Sequence, residues 1–187
     1  MLPSGVDPEV FRPAPRARAR ERLGWSDAER VVVFNAGHHP NMKRLDLANA
    51  ALALTQDLLE GVRMVVLYGR TPPSHIPELF NAADCILLTS DSEGSPTVIQ
   101  EALACNLPVV SVDVGDTGER LNGVSWSAIV PRHPAAIAAE LVRVLRVPGR
   151  SNGRRKVGDF SARKIAGELR QIYASLDTGG AWNISRY

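Results

Sequence analysis

Runs of apolar residues too short for helices, and apolar at nearly every position, constrain this chain most. Val31–Ala36 (VVVFNA), Val62–Tyr68 (VRMVVLY), Asp84–Thr89 (DCILLT) and Pro108–Val112 (PVVSV) are near-continuous, and Val124–Pro131 reads as a fifth strand. Side chains alternate between the two faces of a strand, so apolar residues at every position require both faces to be covered. Helical spacing fills the intervals. Arg16–Leu23 ends at Gly24, and Leu45–Leu59 places Leu45, Ala48, Leu52 and Leu59 along one side. Ile76–Ala83 and a helix opening at Pro96 follow, then at most one turn around Glu119–Leu121. Pro134–Leu145 aligns Ile137, Leu141 and Val144, and Ser161–Leu176 aligns Ile165, Leu169, Ile172 and Leu176. Strand and helix alternating in this way predict an α/β domain, a doubly wound parallel sheet with helices on both faces. Arg146–Val157 reads as a polar link. Ligands of such sheets bind beyond the carboxyl ends of the strands. The loops Gly37–Arg44, Gly69–His75, Ser90–Ser95 and Val114–Glu119 should therefore converge on one edge.

A chain of 187 residues buries one core without disulfides or metal. Cys85 and Cys105 lie in apolar segments without metal-ligand spacing and read as small core residues of a reducing, cytoplasmic protein. No run of 18 apolar residues is present, and the opening MLPSGVDPEVFRPAP has no secretory pattern. The net charge of +2 conceals an asymmetry. Residues 1–131 hold 11 basic and 16 acidic side chains, whereas residues 132–187 hold 11 and 4. A basic last third fits a solvated helical surface, with peripheral membrane contact as the alternative. No aromatic interleaving or nucleic-acid motif accompanies the charge, so nucleic acid is not an expected partner.

The chemistry concentrates in Ser90–Val112, SDSEGSPTVIQEALACNLPVVSV. Ser95 can act as N-cap of the helix opening at Pro96, and Asn106 can end it. The free amides and dipole of such a helix start attract anions. Val98, Ile99, Ala102 and Leu103 form the stripe facing the sheet, leaving Thr97 and Glu101 as neighbours on another face. Glu101 then stands about 7–8 Å from the helix start. An ionised carboxylate only accepts hydrogen bonds, so sugar hydroxyls suit both Glu101 and Glu93. The same spacing also fits a plain helix with one acid near its positive end and one on its surface.

EGSPTVIQE is a Glu-x7-Glu motif. It is followed by ALACNLPVVSVDVG and preceded by NAADCILLTS, with SGVDPEVFRP at the amino end and the Ile165–Tyr173 helix at the carboxyl end. In that order these segments resemble the retaining glycosyltransferases of family 4, over about residues 4–176. The resemblance implies a Rossmann-like domain, the C-terminal half of a GT-B fold, with residues 1–20 as interdomain connector, 21–176 as nucleotide-sugar donor-binding domain and 177–187 as tail. It implies that Glu93 binds the donor sugar, that Gly94, Ser95, Pro96 and Thr97 face sugar and phosphates, and that Glu101 binds the ribose. The family pattern Gly-Arg-x4-Lys-Gly falls on Gly37–Arg44. Lys43 matches the phosphate-binding Lys, His38 stands in place of the Arg, and Arg44, in place of the final Gly, can substitute as a phosphate cation, so that the resemblance puts His38 and Arg44 among the donor-binding residues. The implied activity is metal-independent transfer from a nucleoside-diphosphate sugar to a saccharide, lipid or small-molecule acceptor. It requires an N-terminal domain, so the chain alone should be inactive. A sugar-nucleotide epimerase and a non-catalytic nucleotide-sugar-binding domain are the alternatives.

Overall fold

The structure, a computed structural model, describes residues 4–177. Helix α1 (Arg16–Leu23) ends on Gly24 in the left-handed region. The chain then runs β1 (Arg30–Gly37), α2 (Leu45–Leu58), β2 (Val62–Tyr68), α3 (Ile76–Ala82) and β3 (Cys85–Leu88). It continues through α4 (Thr97–Ala104), β4 (Val109–Val112), α5 (Thr117–Leu121), β5 (Ala128–Val130), α6 (Pro134–Arg146) and α7 (Ala162–Asp177). The five strands form one sheet in the order β2-β1-β3-β4-β5. Every neighbouring pair is parallel, with Val32 beside Cys85, Ile86 beside Val109 and Val110 beside Ala128. The doubly wound Rossmann-like sheet expected from the apolar runs is therefore present. β5 is shorter than expected, because Trp126 turns into the left-handed region (φ 60°) before the strand begins.

Val31, Val32, Val33, Ile86, Val109 and Val110 are fully buried, which accounts for the absence of alternation in their strands. Helices α2 and α6 pack together on one face, and α1 packs on α3. Right-handed crossovers place α3 and α4 on the face opposite α2. Asn106 ends α4 at φ 54°, and its N–H and that of Leu107 donate to the carbonyls of Leu103 and Ala102. This left-handed cap turns the chain sharply into β4.

The polar stretch expected to be a link is a 3₁₀ segment over Gly153–Phe160. Two arginines, one in it and one just before it, bind backbone carbonyls. Arg154 donates to Phe11, Ala104 and Pro8, while Arg150, just before the segment, donates to Ala83, Phe80 and Asn81. Part of the basic character of the last third is thus spent on helix ends and the amino-terminal segment. That segment is fastened elsewhere too: Val6 donates to the Phe160 carbonyl and accepts from the Ala162 amide. Gly5 approaches α7 so closely that a Cβ there would fall 2.5 Å from the Ala162 Cα.

At the amino edge of the sheet Arg20, 1% exposed, donates to the carbonyls of Ala82, Ser26 and Glu29 and to Asp84. Asp84 also accepts from Arg16 and from the Val31 amide, joining α1 to β1 and β3. Both cysteines are buried, and burial pushes the Cys105 thiol up to about 12 and the Cys85 thiol higher still. Neither is a nucleophile at neutral pH. No helix among the described residues is long and apolar enough to cross a membrane. The expected tail at 177–187 falls outside the described residues beyond Asp177.

Candidate functional site

The strand order reverses between β1 and β3, so the loops leaving those two strands flank the crevice where open α/β sheets bind ligands. They are tied to each other. The Asp91 amide donates to the Met42 carbonyl, and the Thr89 hydroxyl lies 2.8 Å from the Lys43 carbonyl. Within this crevice Lys43 Nζ donates to Glu93 Oε1 at 2.5 Å, and the Ser90 hydroxyl donates to the same oxygen at 2.7 Å. Both partners are mostly shielded, with side chains 19% and 12% exposed. Two residues 50 apart in sequence thus form one cation–carboxylate pair at the switch point.

The other two loops join the same edge. The Gly69 amide donates to the Gly37 carbonyl. Gly115, at φ 57°, lies against the loop at 90–95, where a Cβ would fall 2.4 Å from the Gly94 carbonyl oxygen. Convergence of the four loops, expected from topology, is what the backbone contacts show.

Helix α4 starts one residue later than Pro96, which is its N-cap in extended conformation. Ser95 does not cap it. No side chain accepts from the first turn, and the Ser95 hydroxyl instead donates to Asp116 at 2.8 Å while accepting from Gln100. The amides of Gly94, Ser95 and Thr97 have no acceptor among the described residues. Glu101 lies a turn further on, half-buried, and its carboxyl makes no hydrogen bond among the described residues. Desolvation alone raises its pKa from 4.5 to about 7. A half-buried carboxyl without a partner is suited to accept hydroxyl groups.

Two residues of the expected set make no hydrogen bond or ion pair with Lys43 or Glu93. Arg44 takes the left-handed conformation (φ 57°) and pairs with Asp46 and Asp91 rather than with Glu93. Those two carboxylates raise its pKa further. This is a conformation glycine adopts without strain, which explains why a glycine suits the position. Replacing Arg44 by glycine should leave the melting temperature unchanged or slightly higher, since relieved strain offsets exposed ion pairs of little worth. A clear drop in a thermal melt would show that the pairs outweigh the strain. His38 is exposed and lies over Gly69, where a Cβ would fall 2.2 Å from its ring.

Several side chains of this edge carried no signal in sequence. Ser90 lay inside the stretch already singled out and is completely buried under Glu93. Arg132, from the loop after β5, donates to the Thr89 carbonyl at 2.7 Å and to Asp91. Asp91 therefore sits between two arginines, Arg44 and Arg132. A cleft of about 400 Å³ lies between the amino-terminal segment, α1 and α3, lined by Val10, Arg12, Arg18 and Asn81. It is remote from the switch point and shares none of its residues.

Comparison with known proteins places this geometry. The family described as "Glycosyl transferases group 1" matches residues 26–146, more than half of the chain. The D-inositol 3-phosphate glycosyltransferase of Segniliparus rotundus is 30% identical over 97% of this chain and 48% of its own length. The chain thus spans about half the length of that relative. Sucrose-phosphate synthase from Thermosynechococcus elongatus superposes with a TM-score of 0.79 at 24% identity, over 96% of this chain and 53% of that one. The Anabaena protein HepE, solved in complex with UDP-glucose, superposes at 0.69 with 17% identity, over 91% and 56%. The Rossmann-like sheet of this chain thus matches about half of each of these glycosyltransferase structures, and the chain belongs to the group 1 glycosyltransferase family.

Proposed function

We propose that this chain is the donor-binding half of a retaining glycosyltransferase and that its ligand is a nucleoside-diphosphate sugar. The observation that carries this reading is the Lys43–Glu93 pair set beside the unbonded amides at the start of α4. Phosphate at that helix start meets the positive dipole end and free N–H groups. Lys43 exchanges Glu93 for a phosphate oxygen, and the released Glu93 accepts from hydroxyls of the sugar. Glu101, about a turn further along, accepts from the ribose. Residues 21–176 hold this site, and residues 1–20 lead to an acceptor-binding half that precedes them in the full protein.

Transfer breaks the bond between the anomeric carbon and the diphosphate oxygen, the acceptor hydroxyl oxygen bonds to the same face of that carbon, and its proton passes to the departing diphosphate. The charge developing on the departing diphosphate is met by Lys43 and the amides of Gly94, Ser95 and Thr97. Such fixed donors act without reorganising during the reaction. Isothermal titration with UDP, GDP, ADP and their sugars should yield binding by at least one. A flat response across the panel would overturn the reading. Turnover by the chain alone would contradict the need for a second half.

The raised pKa of Glu101 makes the ribose assignment testable by pH. In the free protein its carboxyl is largely protonated at pH 6, because burial disfavours the charge. Hydroxyl donors favour the carboxylate, so binding at pH 6 should release a proton, and affinity should rise with pH up to about 7. Titration in buffers of different ionisation enthalpy measures that release, and Glu101→Gln should abolish it. The sign for folding is opposite. Stability from the neutral carboxyl is complete below pH 4.5 and is lost as the pH rises to about 7.

A further inference from the structure

We propose that Asp116 is a positioning residue of the α4 anion site, holding the Ser95 hydroxyl away from the helix amides so that they stay open to the ligand's phosphates. The inference rests on the donor-site reading given above. It starts from a serine in a sequence position suited to capping that does not cap. Ser95 precedes Thr97 and Val98 by two and three residues, the distance at which a serine hydroxyl ordinarily accepts from first-turn amides. Its hydroxyl is bound instead in a relay of defined direction. Gln100 Nε2 only donates and a carboxylate only accepts, so Ser95 receives from Gln100 at 2.8 Å and gives its proton to Asp116 Oδ2 at 2.8 Å.

The relay is anchored at both ends. Arg120 Nε donates to the same Asp116 oxygen at 2.9 Å, and its guanidinium lies 4.8 Å from the centre of the buried Phe160 ring. Asp116 is itself at the start of α5, yet it caps nothing there. Its carboxylate is spent entirely on Ser95 and Arg120, through one oxygen, while Oδ1 is buried without a partner among the described residues. Gln100 is similar. It is 1% exposed on a helix whose other buried positions are apolar, and its Oε1 is also buried without a partner among the described residues.

Unsatisfied buried oxygens lower stability, and an apolar residue at either position would avoid them. What the two residues contribute is a fixed acceptor and a fixed donor for one hydroxyl. A free Ser95 would compete with an anion for the same N–H groups. Gly115 adds a backbone stop, since it lies against the carbonyls of Glu93 and Gly94 and keeps the loop beside Asp116.

This predicts an unusual order of mutant effects. By titration of a nucleoside diphosphate, Asp116→Ala should weaken binding about tenfold, because the freed Ser95 hydroxyl caps Thr97 or Val98. Ser95→Ala should weaken it no more than about threefold. The double variant should behave as Ser95→Ala, so that removing the hydroxyl rescues the loss. Asp116→Asn keeps an acceptor for Ser95 and should bind nearly as wild type. A purely structural role for Asp116 would not be rescued by deleting Ser95. Asp116→Gly replaces the alanine variant should that one not fold.

The free protein supplies a second measurement. The amide proton shifts of Thr97 and Val98 should move on Asp116→Ala, with the reduced temperature coefficient of a newly formed hydrogen bond, and return in the double variant. Unmoved amides, or a double variant as weak as Asp116→Ala, would overturn the proposal. Wild-type protein that binds no nucleotide, with amides that still respond, would sink the donor reading and the ligand role of the amides while leaving the Ser95 switch in place.

Discussion

Replacing Lys43 by alanine should lower affinity for a nucleoside diphosphate by about 10- to 100-fold. A hydrogen bond to a charged group contributes about 1.5–3 kcal/mol, and each 1.4 kcal/mol is a factor of ten. The change has a structural cost as well. Glu93 is 12% exposed, and without Lys43 its carboxylate keeps only the Ser90 hydroxyl among its present partners. A shielded charge that loses its counter-ion destabilises the fold. Lys43→Ala/Glu93→Gln should therefore recover stability relative to Lys43→Ala and remain weak in nucleotide binding. Calorimetric titration and thermal melts on the two variants separate the effects. A folded Lys43→Ala protein that binds diphosphate as tightly as wild type would remove Lys43 from the phosphate site.

Replacing Asp84 by alanine should reduce stability by about 3–5 kcal/mol, the usual consequence of leaving a buried charge unpaired. Arg20, 1% exposed, would keep its three carbonyl acceptors and lose its counter-ion. The Val31 amide and Arg16 would lose an acceptor in the same step. For a domain of this size the melting temperature should fall by roughly 6–20 °C. Adding Arg20→Met should recover only part of the loss, because the carbonyls of Ala82, Ser26 and Glu29 would then lack a donor. Asp84 lies at the amino edge of the sheet, away from the switch point. Nucleotide affinity measured well below the melting temperature should therefore be unchanged. An affinity loss matching that of Lys43→Ala would show that the two edges are coupled.

The two variants mark the two ends of one sheet. Asp84 fastens α1 to the strand starts, and Lys43 and Glu93 meet where the strands finish. The same division governs how the molecule reads from its sequence. Strand positions follow from local patterns, because a strand buried on both faces needs apolar residues throughout, as Val31–Ala36 in the sheet's interior has. Val62–Tyr68 has the expected bounds but is an edge strand, only Val62 and Leu67 of it buried and Tyr68 exposed. The end of α4 was equally local, since Asn106 tolerates the left-handed turn that the cap requires.

The start of α4 was not local. By propensity Ser95 is a capping residue, and a partner 21 positions away takes its hydroxyl instead. Arg44 shows the same limit. It reads as a second phosphate cation, but Asp46 and Asp91 hold it, the latter shared with an arginine that arrives from beyond β5.

The sequence by itself determined the parallel sheet and the edge at which the loops carrying Lys43 and Glu93 meet. Periodicity, turn chemistry and motif spacing act over a few residues and survive in any context. Only the tertiary structure decided which oxygen each donor finds: Glu93 for Lys43, Asp116 for Ser95, and none among the described residues for the amides of Gly94, Ser95 and Thr97. Hydrogen-bond partners are chosen by distances of about 3 Å between segments far apart in the chain, and no local rule encodes those.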